Sequence, residues 1–196
     1  MSRIRPLVVA AGAAALALSL AACASSPSSS GEDEGYVTPG KLTIATGEIA
    51  YYPYVIDDAP ESGEGFEAAV AYAVAEKLGF DADDVEWVRT SFESAIAPGP
   101  KSFDFNIQQY TITDERKQSV DFSSPYYSAS QAVVAIEGGA ADGVDTLEGL
   151  KDLVLGAMAG STSALTIEEA VAPNVAPQLY NSNQDAVAAL QAGQVD

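Results

Sequence analysis

Histidine is absent from this chain and cysteine occurs once, at position 23. These absences exclude an intrachain disulfide, a Cys/His zinc site and a Ser-His-Asp triad. A carboxylate-only site for a hard cation stays open in principle, but no residue set points to a resident metal or cofactor and none is expected. Basic residues are also scarce: 9 Lys and Arg stand against 28 Asp and Glu, a formal charge of -19 over 196 residues. A chain this acidic is repelled by phosphate backbones, so nucleic acid is not an expected partner. With 47% apolar and 19% charged residues, the composition is that of a folded globular protein. The length allows one domain or two small ones.

What is present begins with an export signal. Arg3 and Arg5 precede an uncharged apolar run, Pro6 to Ala21. That run falls short of the roughly 20 residues of a bilayer span and suits the apolar core of a signal peptide. It closes as Leu20-Ala21-Ala22-Cys23, the pattern of a bacterial lipoprotein signal. Small residues fit the peptidase, and the thiol accepts a diacylglyceryl group. Residues 1–22 are therefore expected to be a lipoprotein signal peptide and Cys23 the lipidated residue. A secretory signal with a chance cysteine is the plainer alternative. Two acyl chains suffice for stable anchoring, so the expected location is extracytoplasmic, lipid-anchored to the bacterial cell membrane. Residues 23–40, rich in Ser, Gly, Pro and acid, cannot bury a core and are expected to be a flexible tether.

From Lys41 the texture changes. Strands are expected at 42–46, 85–88, 103–108, 120–122, 132–136, 153–156 and 178–180. Helices are expected at 65–78, 91–97, 146–150, from Ser161 or Thr162 to Val171, and from an Asn183 cap to Ala192. In the first helix Phe66, Val70, Ala73, Val74 and Leu78 share a face. The alternation predicts parallel βαβ units in two runs, lobe 1 at 41–130 and lobe 2 at 131–196. The last residues, Gln194-Val195-Asp196, read as the opening of a strand, which leaves the second lobe incomplete.

Ligands of such folds sit beyond the C-terminal ends of strands, in a crevice between units. After the first strand comes Gly47-Glu48-Ile49-Ala50-Tyr51-Tyr52-Pro53-Tyr54. After 103–108 comes Gln109-Tyr110-Thr111-Ile112-Thr113-Asp114-Glu115-Arg116, and after 153–156 comes Ala157-Met158-Ala159-Gly160-Ser161-Thr162. These segments supply aromatics, an arginine among hydroxyls and a Gly-Ser-Thr helix start. An arginine fork grips a carboxylate and free N–H groups favour an anion, so together they suit a small zwitterion. Spacing alone equally allows Arg116 to pair with Asp114 or Glu115 at the surface. It also allows the tyrosines to pack loops, Ser161 to be a plain cap and Glu48 to be solvated.

Three segments, Phe103-Asp104-Phe105, Thr111 to Arg116 and Val120-Asp121-Phe122-Ser123-Ser124-Pro125-Tyr126-Tyr127, resemble the signature of the amino-acid solute-binding proteins of ABC importers, solute-binding protein family 3. Tyr52-Pro53-Tyr54, Gly63 to Phe66, Lys77-Leu78-Gly79, Leu147 to Leu153, Gly160-Ser161-Thr162 and Ala189 to Asp196 extend the likeness over 41–196. The run 111–127 is its most specific part. The resemblance implies an α/β, two-lobe periplasmic-binding-protein type II fold, with the second lobe cut short here. It implies a non-enzyme that holds an amino acid, polar by expectation, between its lobes and delivers it to an ABC permease and its ATPase.

By the same resemblance Arg116 grips the ligand carboxylate, beside the Thr111 hydroxyl and the backbone of Gln109. Ser161 and Thr162 reach that carboxylate from the second lobe. Tyr51, Tyr52 and Tyr54 cover the aromatic position, and Glu48 a position suited to a cationic or ammonium group. Two departures are Ala69, where many members carry an Asp, and the pair Gln108-Gln109, where many carry small residues. The alternatives are a dehydratase on the same fold, with Glu48 or Glu67 as general acid, and a ligand-sensing lipoprotein.

Overall fold

The computed structural model describes residues 35–196. The expected signal peptide, Cys23 and most of the expected tether lie outside the described residues. The body begins earlier than the change of texture at Lys41. Tyr36 packs edge-on against Phe80 at 4.9 Å, and the Val37 N–H donates to Asp104 at 2.8 Å.

The first lobe is built on β1 (Leu42–Gly47), which is buried along its whole length. Parallel partners flank it: β2 (Val85–Thr90) on one side and the short β3 (Phe105–Asn106) on the other, in the order β2-β1-β3. A strand covered on both faces is nearly all apolar, as Leu42, Ile44 and Ala45 are here. The crossover from β1 to β2 is α1 (Phe66–Leu78), ended by left-handed Gly79.

The face of α1 that meets the sheet differs from the expected one. Glu67, Ala68, Ala71 and Ala75 are buried, whereas Phe66, Val74 and Leu78 are exposed. Alanines let the helix axis approach the strands, where Ala71 and Ala75 pack on Leu42, Ile44 and Ile107. Val74 faces a cavity of about 1160 Å³, which Val70 also lines while packing against the same core. After β2 the chain forms α2 (Phe92–Ile96), capped by Ser91, whose hydroxyl accepts from the Ser94 N–H at 3.2 Å.

The second lobe pairs β4 (Gly156–Met158) with β5 (Gln178–Tyr180), again in parallel. α3 (Thr162–Thr166) continues as a π turn to Val171, and α4 (Asn183–Gln191) follows β5. A small core of Leu150, Leu155 and Val171 holds it together. The cap of α4 is Ser182, not Asn183: Ser182 is the extended residue, and its hydroxyl accepts from the Asp185 N–H at 3.0 Å. No helix among the described residues is long and apolar enough to cross a membrane.

Four expected strands are altered. The 103–108 strand shrinks to β3, the 153–156 strand moves to β4, and no strand forms at 120–122 or 132–136. Val133 and Val134 are 63% and 73% exposed. β-branched residues favour a strand only when a neighbouring edge accepts their hydrogen bonds, and in this run no described edge does.

Asp104 ties the sheet to the segment before it. Its carboxylate accepts the Thr43 N–H at 2.7 Å and the Val37 N–H at 2.8 Å. Asp104→Ala is expected to lower the unfolding free energy by about 2 kcal/mol, the scale for hydrogen bonds to a charged group. Urea denaturation checks this, and a loss below about 0.5 kcal/mol would show that water replaces the carboxylate.

Candidate functional site

A cavity of about 260 Å³ opens between the two lobes. It lies where the strands end: Glu48 follows β1, Ser91 and Phe92 follow β2, Gln108 and Gln109 follow β3, Ser161 comes just after β4, and Asn181 follows β5. This is the location that parallel α/β sheets give to ligands, because the loops leaving strand ends face one crevice.

Arg116 is the centre of the site. It starts a short 3-10 turn, Arg116–Gln118, and is only 9% exposed. One guanidinium nitrogen donates to the Thr111 carbonyl at 2.7 Å, and the other crosses to the second lobe, donating to the Gly160 carbonyl at 2.9 Å. The guanidinium carbon lies 5.4 Å from the Phe92 ring centroid and 5.5 Å from that of Tyr110. These rings are 4.2 Å apart and form an aromatic seat for the cation.

No carboxylate among the described residues forms an ion pair with Arg116. The surface pairing that spacing allowed does not occur, since Asp114 pairs instead with Lys117 at 2.8 Å. Burial lowers the Arg116 guanidinium from its ordinary value, opposed by Tyr110 and Glu115. Burial likewise raises the Tyr110 phenol, whose hydroxyl donates to the Phe92 carbonyl. The result is a half-satisfied buried cation beside an open space.

Hydroxyls and amides surround it. Thr111 and Thr162 bring their Oγ1 atoms within 3.3 Å across the cleft. Gln131 donates to Thr162 Oγ1 at 3.2 Å and accepts from the Ser163 hydroxyl at 2.7 Å. Ser161 caps α3, accepting from the Ala164 N–H at 3.1 Å, and donates to the Met158 carbonyl at 2.6 Å. Gln109 has φ 52, a left-handed conformation uncommon for a residue with a Cβ.

The loop after β1 is held by a charged pair. Arg89 donates to Asp58 Oδ1 at 2.6 Å and to the Gly47 carbonyl at 2.9 Å, while the Ala50 N–H donates to Asp58 at 2.8 Å. Burial pushes the Asp58 carboxyl up, but the Ala50 N–H and Arg89 together outweigh it and hold it below its ordinary value. A depressed carboxyl contributes stability above its unfolded pKa of about 3.9, lost as pH falls through the folded value. Asp58→Asn is therefore expected to flatten the decline of stability below about pH 4. Unfolding curves at stepped pH measure it, and parallel acid limbs would contradict it.

Of the residues singled out in the sequence, Glu48, Tyr51, Gln109, Thr111, Arg116, Ser161 and Thr162 line this one cavity. Tyr52 and Tyr54 do not. Tyr52 is 79% exposed, and Tyr54 lines the larger cavity, with its ring edge-on to Phe66 and Tyr127. Phe92, Tyr110 and Gln131 are not among the site residues expected from the sequence. Phe92 was within reach, because it lies two residues after the second strand. Tyr110 lies in the same Gln109 to Arg116 segment that follows the third strand. Gln131 had no signal, as it reaches the cleft from a run without regular structure.

Two α/β lobes meeting at a cleft with a buried arginine define a periplasmic-binding-protein type II fold. The chain belongs to the bacterial extracellular solute-binding proteins, family 3, whose family model matches residues 42–196. It is 32% identical to the L-arginine-binding protein of Pseudomonas aeruginosa over 151 residues, covering 76% of this chain and 56% of that protein. It is 34% identical to the glutamine-binding protein of Geobacillus stearothermophilus over 140 residues, covering 70% and 52%. The chain thus spans about half the length of the curated relatives it matches.

Among solved structures, an ancestral arginine-binding protein bound to glutamine superposes with a TM-score of 0.68 at 34% identity, covering 81% of this chain and 68% of that one. The ancestral amino acid-binding protein AncCDT-1, a precursor of cyclohexadienyl dehydratase, superposes with a TM-score of 0.68 at 31% identity, covering 80% and 68%.

Proposed function

We propose that this protein is the extracytoplasmic substrate-binding subunit of an amino-acid ABC importer, and that it captures one amino acid in the interlobe cleft without transforming it. The observation that carries this reading is Arg116, buried, seated against a stacked pair of rings and without a carboxylate partner among the described residues. An α-carboxylate entering the cleft would complete its hydrogen bonding, with Thr111, Ser161 and Thr162 alongside. Glu48 faces the same cavity and suits a cationic or ammonium group. Gln109 and Tyr51 complete the proposed contacts from the first lobe; Tyr52 and Tyr54 fit that role poorly where they stand.

Arg116 already bridges to Gly160, so closure and ligand capture use the same side chain. Contacts made only when the lobes are together bias a two-lobe protein toward its closed form, and the closed form would dock on a permease served by an ATPase. Lipidation of Cys23 would keep the protein at the outer face of the bacterial cell membrane. The dehydratase alternative loses one candidate acid, since Glu67 does not line the cleft. Family relatives named for arginine and glutamine favour amino-acid capture.

A thermal-shift screen of the full-length protein against the common amino acids tests the reading, because a ligand that binds only the folded state raises its melting point. A rise of several degrees with one or a few amino acids is expected. No shift with any of them, or turnover of a cyclic dicarboxylate, would overturn it.

A further inference from the structure

Glu67 is 1% exposed, yet it lies outside the cleft and the function proposed for the cleft does not use it. It stands in the first turn of α1. Its carboxylate accepts the Gln109 N–H at 2.8 Å, the Gln109 side-chain N–H and the Tyr126 hydroxyl. Among the described residues no lysine or arginine pairs with it. A buried carboxylate without a cation persists only where donors surround it, and here all the donors come from two residues.

Those two residues matter for the cleft. Gln109 holds the left-handed conformation noted above, between Gln108 and Thr111. Thr111 in turn offers its carbonyl to Arg116. Tyr126 belongs to the irregular run that links the lobes. Bonding one carboxylate to both the backbone and the side chain of Gln109 closes a ring that selects a single backbone conformation. We propose that Glu67 is a positioning residue: it locks Gln109 in the left-handed conformation, sets the 108–111 edge of the cleft, and ties that edge to the interlobe run through Tyr126.

Burial and the Glu67 carboxylate both raise the Tyr126 phenol, so it stays a donor. A neutral amide at position 67 cannot satisfy the same donors, since its nitrogen would face one of them.

Residue-resolved amide exchange on the isotope-labelled chain tests the role. Glu67→Gln is expected to speed exchange of the Gln109 amide at least tenfold while the β1 amides stay within threefold. Glycine adopts the left-handed conformation without help. Adding Glu67→Gln to Gln109→Gly should therefore move the Thr111 amide signal less than half as far as in the wild-type background. Unchanged exchange at Gln109, equal acceleration in β1, or equal Thr111 shifts in both backgrounds would each overturn the proposal. If Glu67→Gln does not fold, Gln109→Ala and Gln109→Gly carry the test. Gln109→Ala keeps the strain and loses the side-chain bond, so its residue-109 amide should exchange faster than that of Gln109→Gly, and the reverse order overturns the proposal. The role rests on the binding function proposed for the cleft, whereas amide exchange needs no ligand, so the two can fail separately.

Discussion

Arg116→Ala in the full-length protein is expected to weaken amino-acid binding by about 2 to 5 kcal/mol, the cost of truncating one partner of a buried charge-assisted pair. That corresponds to a loss of roughly 30-fold to several thousandfold in Kd. The size follows from the setting. The residue is 9% exposed, its guanidinium rests against the stacked Phe92 and Tyr110 rings, and it is bonded to Thr111 and Gly160. Its loss removes the cation, the fork geometry and a direct link between the lobes. Arg116→Lys should recover only part of the affinity, because an ammonium keeps the charge but neither the fork nor the flat stacking surface. Calorimetric titration with L-arginine and L-glutamine, the ligands of two relatives, reads both variants. Affinity unchanged in Arg116→Ala would remove this residue from the site.

Gly65→Ala is expected to cause a comparable loss, in stability instead of binding. Gly65 is the N-cap of α1, with φ 108 and ψ 161, a region open essentially only to glycine. A Cβ there would lie 2.5 Å from the Tyr54 carbonyl oxygen and 2.7 Å from the Val55 Cα. Both are backbone atoms that cannot swing aside. The same junction carries the Phe66 N–H to the Pro53 carbonyl and the Glu67 N–H to the Tyr54 carbonyl, at 3.1 and 2.9 Å. Strain and displacement together should cost about 3 kcal/mol or more. Urea unfolding of the two proteins measures it, and a difference under about 1 kcal/mol would mean the junction relaxes without cost.

Much of the first lobe was legible because its signals are local. Leu42 to Thr46 reads as a strand, and the stretch ending in Lys77-Leu78-Gly79 reads as a helix with its stop. The motif after Phe103 pointed to Arg116 before any contact was known. The orientation of α1 was not legible, because hydrophobicity marked Phe66, Val74 and Leu78 while close packing on β1 required the alanines. The 132–136 run failed as a strand for a similar reason. Its residues suit a sheet, but a sheet also needs a partner edge, which is a property of distant residues.

The site divides along the same line. Sequence alone determined the residue types: an arginine among hydroxyls, acids in great excess, tyrosines after the first strand and no histidine for general catalysis. Tertiary structure decided which of them meet. It brought Gly160 and Thr162 of the second lobe to Arg116 and Thr111 of the first, and it sent Tyr54 to another cavity. It also buried Glu67 against Gln109, across the sequence distance between a helix start and a strand end. Covalent neighbours set propensity and charge, whereas hydrogen-bond partners and burial depend on how separate segments pack, and that is where the cleft acquires its chemistry.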